Sequence, residues 1–303
     1  MESLFIGHAY IDVTMLADRI PTGDEKAVAK DYAVSFGGNA VTAGFACAKL
    51  GHPVDLLTSV ARDWLGHMFV DMAHAYGVRV HPRRVARSSL SFVFPKDSRR
   101  AILRARDDAY LDPVPNLSIR NLRLLHLDGH MGDAALHYAR AARAAGALVS
   151  LDGGALRPGI EDLCQFVDVA VVSERLCEQL GLNENGMLDW LKAKGCRIGA
   201  VTIGARGIVW YDESGFVRHT PALATPRERV IDTSGAGDVF HGAYCASWLE
   251  RPDASWETHF RFARAASAHK IQHLGNEAGL PTHDDVARAA AEFPEGESRT
   301  PVG

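Results

Sequence analysis

The hydrophobic positions of the chain form short apolar runs separated by amphipathic stretches, a pattern that predicts strands and helices in alternation. Residues 4–6 and 54–58 are two such runs, and each predicts a buried strand. Between them, residues 40–50 carry small side chains at helical spacing. This spacing is typical of a helix that packs closely against a sheet.

The alternation becomes regular after residue 122. Strands are predicted at residues 124–127, 148–151, 167–172 and 198–203, with Ala-rich amphipathic segments between most of them. Repeated units of this kind indicate an α/β fold with a parallel sheet covered by helices. The four runs lead into Asp128, Asp152, Ser173 and Gly204. Ordinary turns also favour these residue types, but four of them at one sheet edge favour a ligand site.

Two β-rich segments, residues 25–36 and 88–105, interrupt this rhythm. They predict a small antiparallel sheet, with a hairpin turn at Lys96, Asp97 and Ser98. We therefore expect one domain over residues 1–294 that carries a discontinuous lid from about residues 12–36 and 86–106. Residues 295–303 are polar, contain Pro and Gly, and predict a flexible tail.

Composition excludes several classes of protein. The 303 residues are 47% hydrophobic and 23% charged, as in an ordinary globular protein. The net charge of −4 argues against a nucleic-acid partner, and no apolar run reaches the length of a membrane span. Five scattered cysteines without a C-x-x-C pair, and an N-terminus without a signal peptide, predict a reducing, cytoplasmic location.

The strongest local signal is the heptapeptide Asp-Thr-Ser-Gly-Ala-Gly-Asp at residues 232–238. A β-leaning stretch at residues 229–231 precedes it, and an apolar helix is predicted over residues 239–249. Gly235, Ala236 and Gly237 allow a ligand to approach the backbone, and the free amide groups at the start of a helix form an anion site.

Asp238 stands just inside this predicted anion site. A carboxylate there would repel a phosphate unless it has a task, and accepting the proton of an attacking hydroxyl is a task that fits. We expect the helix dipole to keep Asp238 ionised and weakly basic. An ordinary helix-capping acid is the alternative interpretation.

A second, weaker signal is the sequence Gly37-Gly38-Asn39 before the predicted helix. The glycines would let a polyhydroxylated ligand lie against the backbone, and the Asn39 amide offers a donor and an acceptor. A tight turn with Asn39 as the helix N-cap would explain the same residues. Asp12, expected in the loop after the first strand, could chelate two neighbouring hydroxyls or be solvated.

Together and in order, these motifs resemble the PfkB-type, or ribokinase-like, carbohydrate kinase family. The resemblance rests on Asp12, Gly37-Gly38-Asn39, residues 202–207 and residues 232–238, and spans residues 4 to about 281. It implies a three-layer α/β/α sandwich with a small β-sheet lid. It also implies ATP-dependent transfer of the γ-phosphoryl group to a sugar hydroxyl.

The resemblance also implies residue roles. It makes Asp238 the catalytic base, with Gly235, Ala236 and Gly237 as the anion site. It assigns Asp12, Gly37, Gly38 and Asn39 to the acceptor sugar. It places Thr202, Gly204 and Gly207 beside the nucleotide phosphates, and residues 266–279, with His269 and Gly275, along the adenine pocket.

The chain departs from the family at one motif that helps to organise magnesium. The family usually carries Asn-x-x-Glu after a central strand, whereas this chain has Ser173 and Leu176 there. Glu174 or Glu178 could act instead, through water, and Mg²⁺ is still expected because nucleotide phosphates supply most of its ligands. Asp232 is a candidate ligand for a monovalent cation such as K⁺.

The acceptor is not fixed by the motifs. We interpret Lys26, Arg104, Arg106 and His130 as candidates for the sugar pocket. Two guanidinium groups on one strand face would favour an acceptor with a carboxylate, sulfonate or phosphate. The alternative is that they face solvent or ATP. Pentoses, ketohexoses and related sugars, including acidic ones, are therefore the candidate acceptors.

Two other functions compete with a sugar kinase. A nucleoside kinase of the same fold would need an aromatic contact for the base, which Phe92 or Phe94 could provide. A non-catalytic sugar or nucleotide sensor would fit the altered Ser173 and Leu176 positions, but not an intact Asp238. Apolar residues in both lid segments, which a small sheet cannot bury on both faces, lead us to expect a homodimer through the lid.

Overall fold

A computed structural model describes residues 1–96 and 99–296. Over these ranges the strands form two sheets, a large central one and a small one. In spatial order the central sheet contains β13 (Val217–Thr220), β12 (Ile208–Tyr211), β11 (Ile198–Thr202), β10 (Val169–Ser173), β9 (Leu148–Gly153), β8 (Leu124–Leu127), β1 (Ser3–Gly7), β4 (Val54–Val60) and β5 (Arg79–Arg84). Its strands all run in one direction apart from β12, which pairs antiparallel with β11 on one side and with the edge strand β13 on the other.

Helices cover both faces of this sheet, so the chain forms three layers. One apolar core packs against α1 (Asn39–Lys49), α2 (Trp64–Ala75), α7 (Ala236–Glu250), α8 (Trp256–Lys270) and α9 (His283–Glu292). A second core packs against α3 (Gly132–Ala144), α4 (Ile160–Cys164), α5 (Glu174–Leu180) and α6 (Glu184–Ala193). The strands between the cores are apolar on both faces because helices cover both.

The close packing of α1 and α7 depends on small residues. A Cβ atom added to Gly242 would lie 2.2 Å from the main-chain oxygen of Ala43. Glycine therefore lets the main chain of α7 pack directly against the main chain of α1. This contact sets the position of the start of α7 relative to the sheet.

The small sheet is the lid, in the order β3 (Asp31–Gly37), β2 (Tyr10–Leu16), β6 (Leu90–Lys96) and β7 (Arg99–Ala105). One row across it joins Ser35, Asp12, Ser91 and Arg104, and the adjacent row joins Val34, Val13, Phe92 and Leu103. Because cross-strand neighbours share a face and successive residues alternate, the first row lies on the inner face and the second on the outer face.

Most predicted elements match the structure. The lid sheet departs from the expected antiparallel arrangement at one pair, because β2 and β6 run parallel, and three elements also differ. Asp12 lies on lid strand β2 and not in a loop, because residues 10–16 pair with both β3 and β6. Residues 229–231 are not a strand: the N–H of Ile231 donates to the main-chain oxygen of Ile271 instead of a sheet partner.

The third difference is the predicted tail. Glu295 bridges to Leu223 and Gly296 donates its N–H to the oxygen of Ala222, so the first two tail residues are held. Residues 297–303, and Asp97 and Ser98 of the predicted hairpin turn, lie outside the described residues. Across the described ranges, no helix combines the length and apolarity required to cross a membrane.

Candidate active site

The start of α7 forms the floor of the candidate site. Gly235 precedes the helix with a left-handed φ of 74°, and no side chain caps the first turn. A Cβ atom on Gly235 would lie 2.3 Å from Asn276 Oδ1, whereas one on Gly237 would meet nothing within 4 Å. The N–H of Ala236 donates to the main-chain oxygen of Thr233 at 3.4 Å, and the open space beside Gly237 leaves room for an anion at the start of α7.

Asp238 lies in the first turn of α7, among other charged groups. Burial and then the neighbouring Asp152 carboxylate raise the pKa of Asp238 to about 7, and Arg100 opposes them. This corrects the expectation of a weakly basic carboxylate, since desolvation outweighs the helix dipole here. With a pKa near neutrality, Asp238 can both accept and release a proton.

Asp12 reaches the same cluster from the inner face of the lid. Asn276 Nδ2 donates to Asp12 Oδ2 at 3.2 Å, while the buried Asp12 Oδ1 has no hydrogen-bond partner among the described residues. A Cβ atom on Gly37 would lie 2.3 Å from the Asp12 carboxylate. Glycine at position 37 thus makes room for a carboxylate with one oxygen left for a ligand.

Asn39 is the first residue of α1 and Gly38 is its N-cap, so the alternative interpretation of Asn39 as the cap does not hold. Gly38 has a φ of 107°, and a Cβ atom there would lie 2.0 Å from the main-chain oxygen of His8. This turn directs the Asn39 side chain toward β9, where its Nδ2 donates to Asp152 Oδ2 at 2.9 Å.

Asp152 also belongs to the site, although its sequence position predicts only that it follows a strand. Burial raises the pKa of Asp152 to about 7. Its Oδ1 lies 3.5 Å from Nε2 of the buried His241. His241 Nδ1 in turn lies 2.9 Å from the Tyr244 hydroxyl. His241 and Tyr244 therefore form a buried polar network that holds the Asp152 carboxylate in place.

Arginines occupy the lid side of the site. Arg100 and Arg104 alternate with the outer-face residues of β7 and therefore share the inner face. Both positive charges lower the pKa of Asp238. Arg106 follows the last residue of β7, so the strand pair is Arg100 with Arg104 and not Arg104 with Arg106. Arg100 was missed, although its four-residue spacing from Arg104 could have revealed it.

A second group of residues continues the site along the sheet edge. The His130 and His8 ring centroids are 5.7 Å apart, and the Arg104 guanidinium lies 5.1 Å from the Tyr10 ring centroid. Burial, and then the charges of Arg157, Arg106 and Arg104, lower the pKa of His130 to about 3. His130 is therefore neutral and surrounded by positive charge.

Lys26 is not part of this cluster. It is exposed on the coil before β3, and within the described ranges it forms no hydrogen bond or ion pair with a site residue.

The predicted nucleotide turn follows β11. Thr202 ends this strand and donates its hydroxyl to the Val172 oxygen at 3.3 Å. Gly204 and Gly207 have φ values of 59° and 101°, and a Cβ atom on Gly207 would lie 2.2 Å from the Thr220 oxygen. The two glycines therefore shape a tight turn at the carboxyl end of the sheet.

The residues in place of the family's magnesium motif have other partners. Ser173 caps α5 and donates its hydroxyl to the Gly154 oxygen at 3.0 Å. Glu174 is paired with Arg206, and Glu178 is exposed. Where the structure describes the chain, no three metal-ligating side chains cluster. The contribution of Glu174 or Glu178 to magnesium binding through water stays a prediction.

At the end of α8, the His269 and His273 ring centroids are 4.4 Å apart with the rings tilted by 34°, and His269 Nδ1 lies 4.0 Å from Asp285 Oδ1 of α9. Gly275 donates its N–H to Asp232 Oδ2 at 3.1 Å, and a Cβ atom on it would touch the Ala33 side chain of the lid. Asp232, the candidate ligand for K⁺, is paired with the buried Lys270.

Comparisons with known proteins identify the family of this chain. The family model of pfkB family carbohydrate kinases matches residues 2–283. The chain belongs to this family. This pfkB kinase is 27% identical over 297 residues to the ATP-dependent ribose-1-phosphate kinase of Halopiger xanaduensis, covering 95% of this chain and 98% of the relative.

Solved structures show the same fold. A ribokinase candidate from Agrobacterium tumefaciens matches the pfkB kinase with a TM-score of 0.87 and 24% identity, covering 96% and 97% of the two chains. The ribokinase of Arabidopsis thaliana, solved with ribose and ATP, matches with a TM-score of 0.76 and 20% identity, covering 95% and 98%. The predicted ribokinase-like α/β/α sandwich is confirmed.

Proposed function

We propose that this kinase transfers the γ-phosphoryl group of ATP to a hydroxyl, expected to be primary, of a sugar that carries an anionic group. The observation that carries the transfer is the convergence of Asp238, Asp12 and the open first turn of α7 on one space. A base, a sugar-binding carboxylate and an anion site are the three groups that phosphoryl transfer to an alcohol needs.

In this reaction the free Asp12 Oδ1 accepts a hydrogen bond from the sugar, and Asn39 offers its amide. The reacting hydroxyl attacks the γ-phosphorus, so an O–P bond forms while the bond to the β-phosphate oxygen breaks. The hydroxyl proton passes to Asp238, and the products are a phosphosugar and ADP. The α7 amide groups stabilise the charge that develops on the transferred phosphoryl group.

ATP is expected beside the turn at Thr202, Gly204 and Gly207, along the segment that contains His269 and Gly275. The ATP-bound Arabidopsis relative supports this expectation at the level of the shared fold. Mg²⁺, when bound with the nucleotide, neutralises phosphate charge, with ligands supplied by the phosphates and water. Glu174 or Glu178 would then contact the ion through water, and Ser173 shapes the neighbouring turn as the cap of α5.

The charge around His130 supports an anionic acceptor. The pKa of His130 is lowered by the positive charges of three arginines, Arg157, Arg106 and Arg104. Arg106 is balanced by Asp108 at 2.9 Å, whereas over residues 1–96 and 99–296 no carboxylate lies within 4 Å of the other two guanidinium groups. An acceptor carboxylate, sulfonate or phosphate would balance that charge. The Halopiger relative is named for a phosphorylated sugar, which agrees with this proposal.

The positions of Phe92 and Phe94 do not favour a nucleoside acceptor. Both belong to the outer face of the lid, opposite to Asp12, because Phe92 pairs with Val13 while Ser91 pairs with Asp12. They could stack on a base in the site only if the register of β6 shifted by one residue, which would move its side chains to the opposite face. A sensor is also disfavoured, since it would need no titrating carboxylate at the acceptor hydroxyl.

We further propose that the outer lid face forms a homodimer. Tyr32, Val34 and Leu103 are exposed there by 67%, 38% and 71%. A second copy would cover this apolar surface. Light scattering of the purified protein at micromolar concentration should give a dimer, and Leu103→Glu should give a monomer; a wild-type monomer would refute the proposal.

The function is tested by measuring ADP release with neutral sugars, sugar acids, sugar sulfonates, sugar phosphates and nucleosides. We expect the highest kcat/KM with an anionic sugar. Arg104→Gln should raise the KM of that sugar about 10- to 100-fold, from the loss of roughly 1.5–3 kcal/mol of charged hydrogen bonding. The exposed Arg62→Gln serves as the matched control. Equal effects of Arg104→Gln on neutral and anionic acceptors would contradict the anionic assignment.

A further inference from the structure

Lys270, the last residue of α8, holds its ammonium group inside the protein. Lys270 Nζ lies 3.0 Å from the main-chain oxygen of Asp232, 3.2 Å from Asp232 Oδ2 and 3.5 Å from the main-chain oxygen of His273. Both side chains of the ion pair are fully buried, at 0% exposure. A buried charge of either sign is costly without its partner, so each group requires the other.

The same Asp232 carboxylate organises the turn before α7. Its Oδ1 accepts the N–H of Ser234 at 2.8 Å, and its Oδ2 accepts the N–H of Gly275 at 3.1 Å. The next residue, Asn276, continues the connection to Asp12 across the site. The Lys270–Asp232 pair thus joins the turn that shapes the anion site to the segment that contacts the lid.

The fold makes room for the lysine at Gly279. A Cβ atom there would lie 2.8 Å from Lys270 Cγ and 3.2 Å from its Cε. Any larger residue at position 279 would displace the aliphatic part of Lys270. The position of the ammonium group is therefore built into the packing.

This arrangement does not fit the K⁺ ion that we considered at Asp232. A monovalent cation would need the oxygen atoms that Lys270 Nζ already contacts. The cation and the ammonium group, bound to the same oxygen atoms, would then repel each other strongly. We infer that the Lys270 ammonium replaces a dissociable monovalent cation, so that the anion site of this kinase assembles without K⁺ or Na⁺. Lys270 is then a positioning residue, and this inference rests on the proposed function.

The first test compares wild-type ADP formation in KCl, NaCl and choline chloride at equal ionic strength. We expect rates that agree within about twofold, because screening is matched and no ion has to bind. Activation of the wild type by K⁺ of fivefold or more would overturn the inference. Absence of turnover in every salt, with every acceptor, would instead overturn the proposed function.

The second test removes the ammonium group. Lys270→Ala should lower kcat at least tenfold in choline chloride with little change in acceptor KM, and K⁺ or propylammonium should restore part of the rate. Lys49→Ala, at the exposed end of α1, is the matched control and should need no added cation. A Lys270→Ala defect that no cation relieves would mean a general structural role and would contradict the inference.

A third measurement does not depend on activity or on a folded variant. The wild-type Tm without substrates should be the same within about 1 °C in KCl and choline chloride, since nothing binds selectively to the folded state. A Tm that rises with K⁺ concentration in the millimolar range would reveal a cation site and refute the replacement.

Discussion

Asp152→Asn should shift the pH dependence of the kinase without removing the catalytic base. Asp152 is buried, contacts Asn39 through one oxygen, and its charge is the largest cause, after burial, of the raised pKa of Asp238. Asparagine is nearly isosteric and keeps an oxygen for Asn39. The substitution therefore removes one negative charge with little change in shape.

The size of the shift follows from the pKa of Asp238. In the wild type this pKa is about 7, so kcat/KM should fall on the acid side with a midpoint near pH 7. Removal of the like charge should lower this midpoint, by at most about one pH unit, which is equivalent to about 1.4 kcal/mol. The shift is limited because burial raises the pKa of Asp152 to about 7 as well, so Asp152 is itself partly protonated near the midpoint.

The assay is a kcat/KM profile from pH 5 to 9 for wild type, Asp152→Asn and a control. Asp55→Asn is a matched control, because Asp55 is a buried carboxylate on β4 that pairs with His81 and is not among the main influences on Asp238. The control should keep the wild-type midpoint. An Asp152→Asn profile whose acid limb coincides with that of the wild type would refute the coupling of the two carboxylates.

Two further predictions concern the glycines, and a third concerns the ion pair between the buried Arg83 and the exposed Asp133. Gly37→Ala should raise the acceptor KM at least tenfold and leave the ATP KM unchanged, because the new Cβ atom displaces the Asp12 carboxylate; equal changes in both KM values would contradict this. Gly242→Ala should lower the free energy of unfolding by about 1–3 kcal/mol in urea titrations through overpacking against α1. Arg83→Met should cost only about 0.5–1.5 kcal/mol by the same measurement, because water solvates the exposed Asp133 carboxylate once its bidentate partner is lost; a loss above about 3 kcal/mol would show that water does not replace the guanidinium.

The strands of the central sheet could be predicted because burial on both faces produces continuous apolar runs. The structure places β8 at Leu124–Leu127, the same residues as the predicted run. The lid was also predictable in outline from its β-rich segments. Strand β2 could not be predicted, because Tyr10–Leu16 has no turn signal before it and follows β1 after only two residues.

The candidate site was predictable only where a local motif carries it. The heptapeptide at residues 232–238 predicts a turn, an anion site and Asp238 as a candidate base. Contacts between distant segments have no such signal: Asn276 meets Asp12 across 264 residues, and Lys270 meets Asp232 across 38. The raised pKa of Asp238 also depends on Asp152, which only the folded sheet brings near.

The central claim is that Asp238 is the base of an ATP-dependent sugar kinase. The most direct test compares kcat for ADP release by wild type and Asp238→Asn, with the best acceptor, after thermal shifts with acceptor and a non-hydrolysable ATP analogue have shown that both variants bind. We predict that kcat falls by about 10²- to 10⁴-fold while the thermal shifts stay within about 1 °C of the wild type. An Asp238→Asn enzyme with a kcat within about twofold of the wild type would contradict the account.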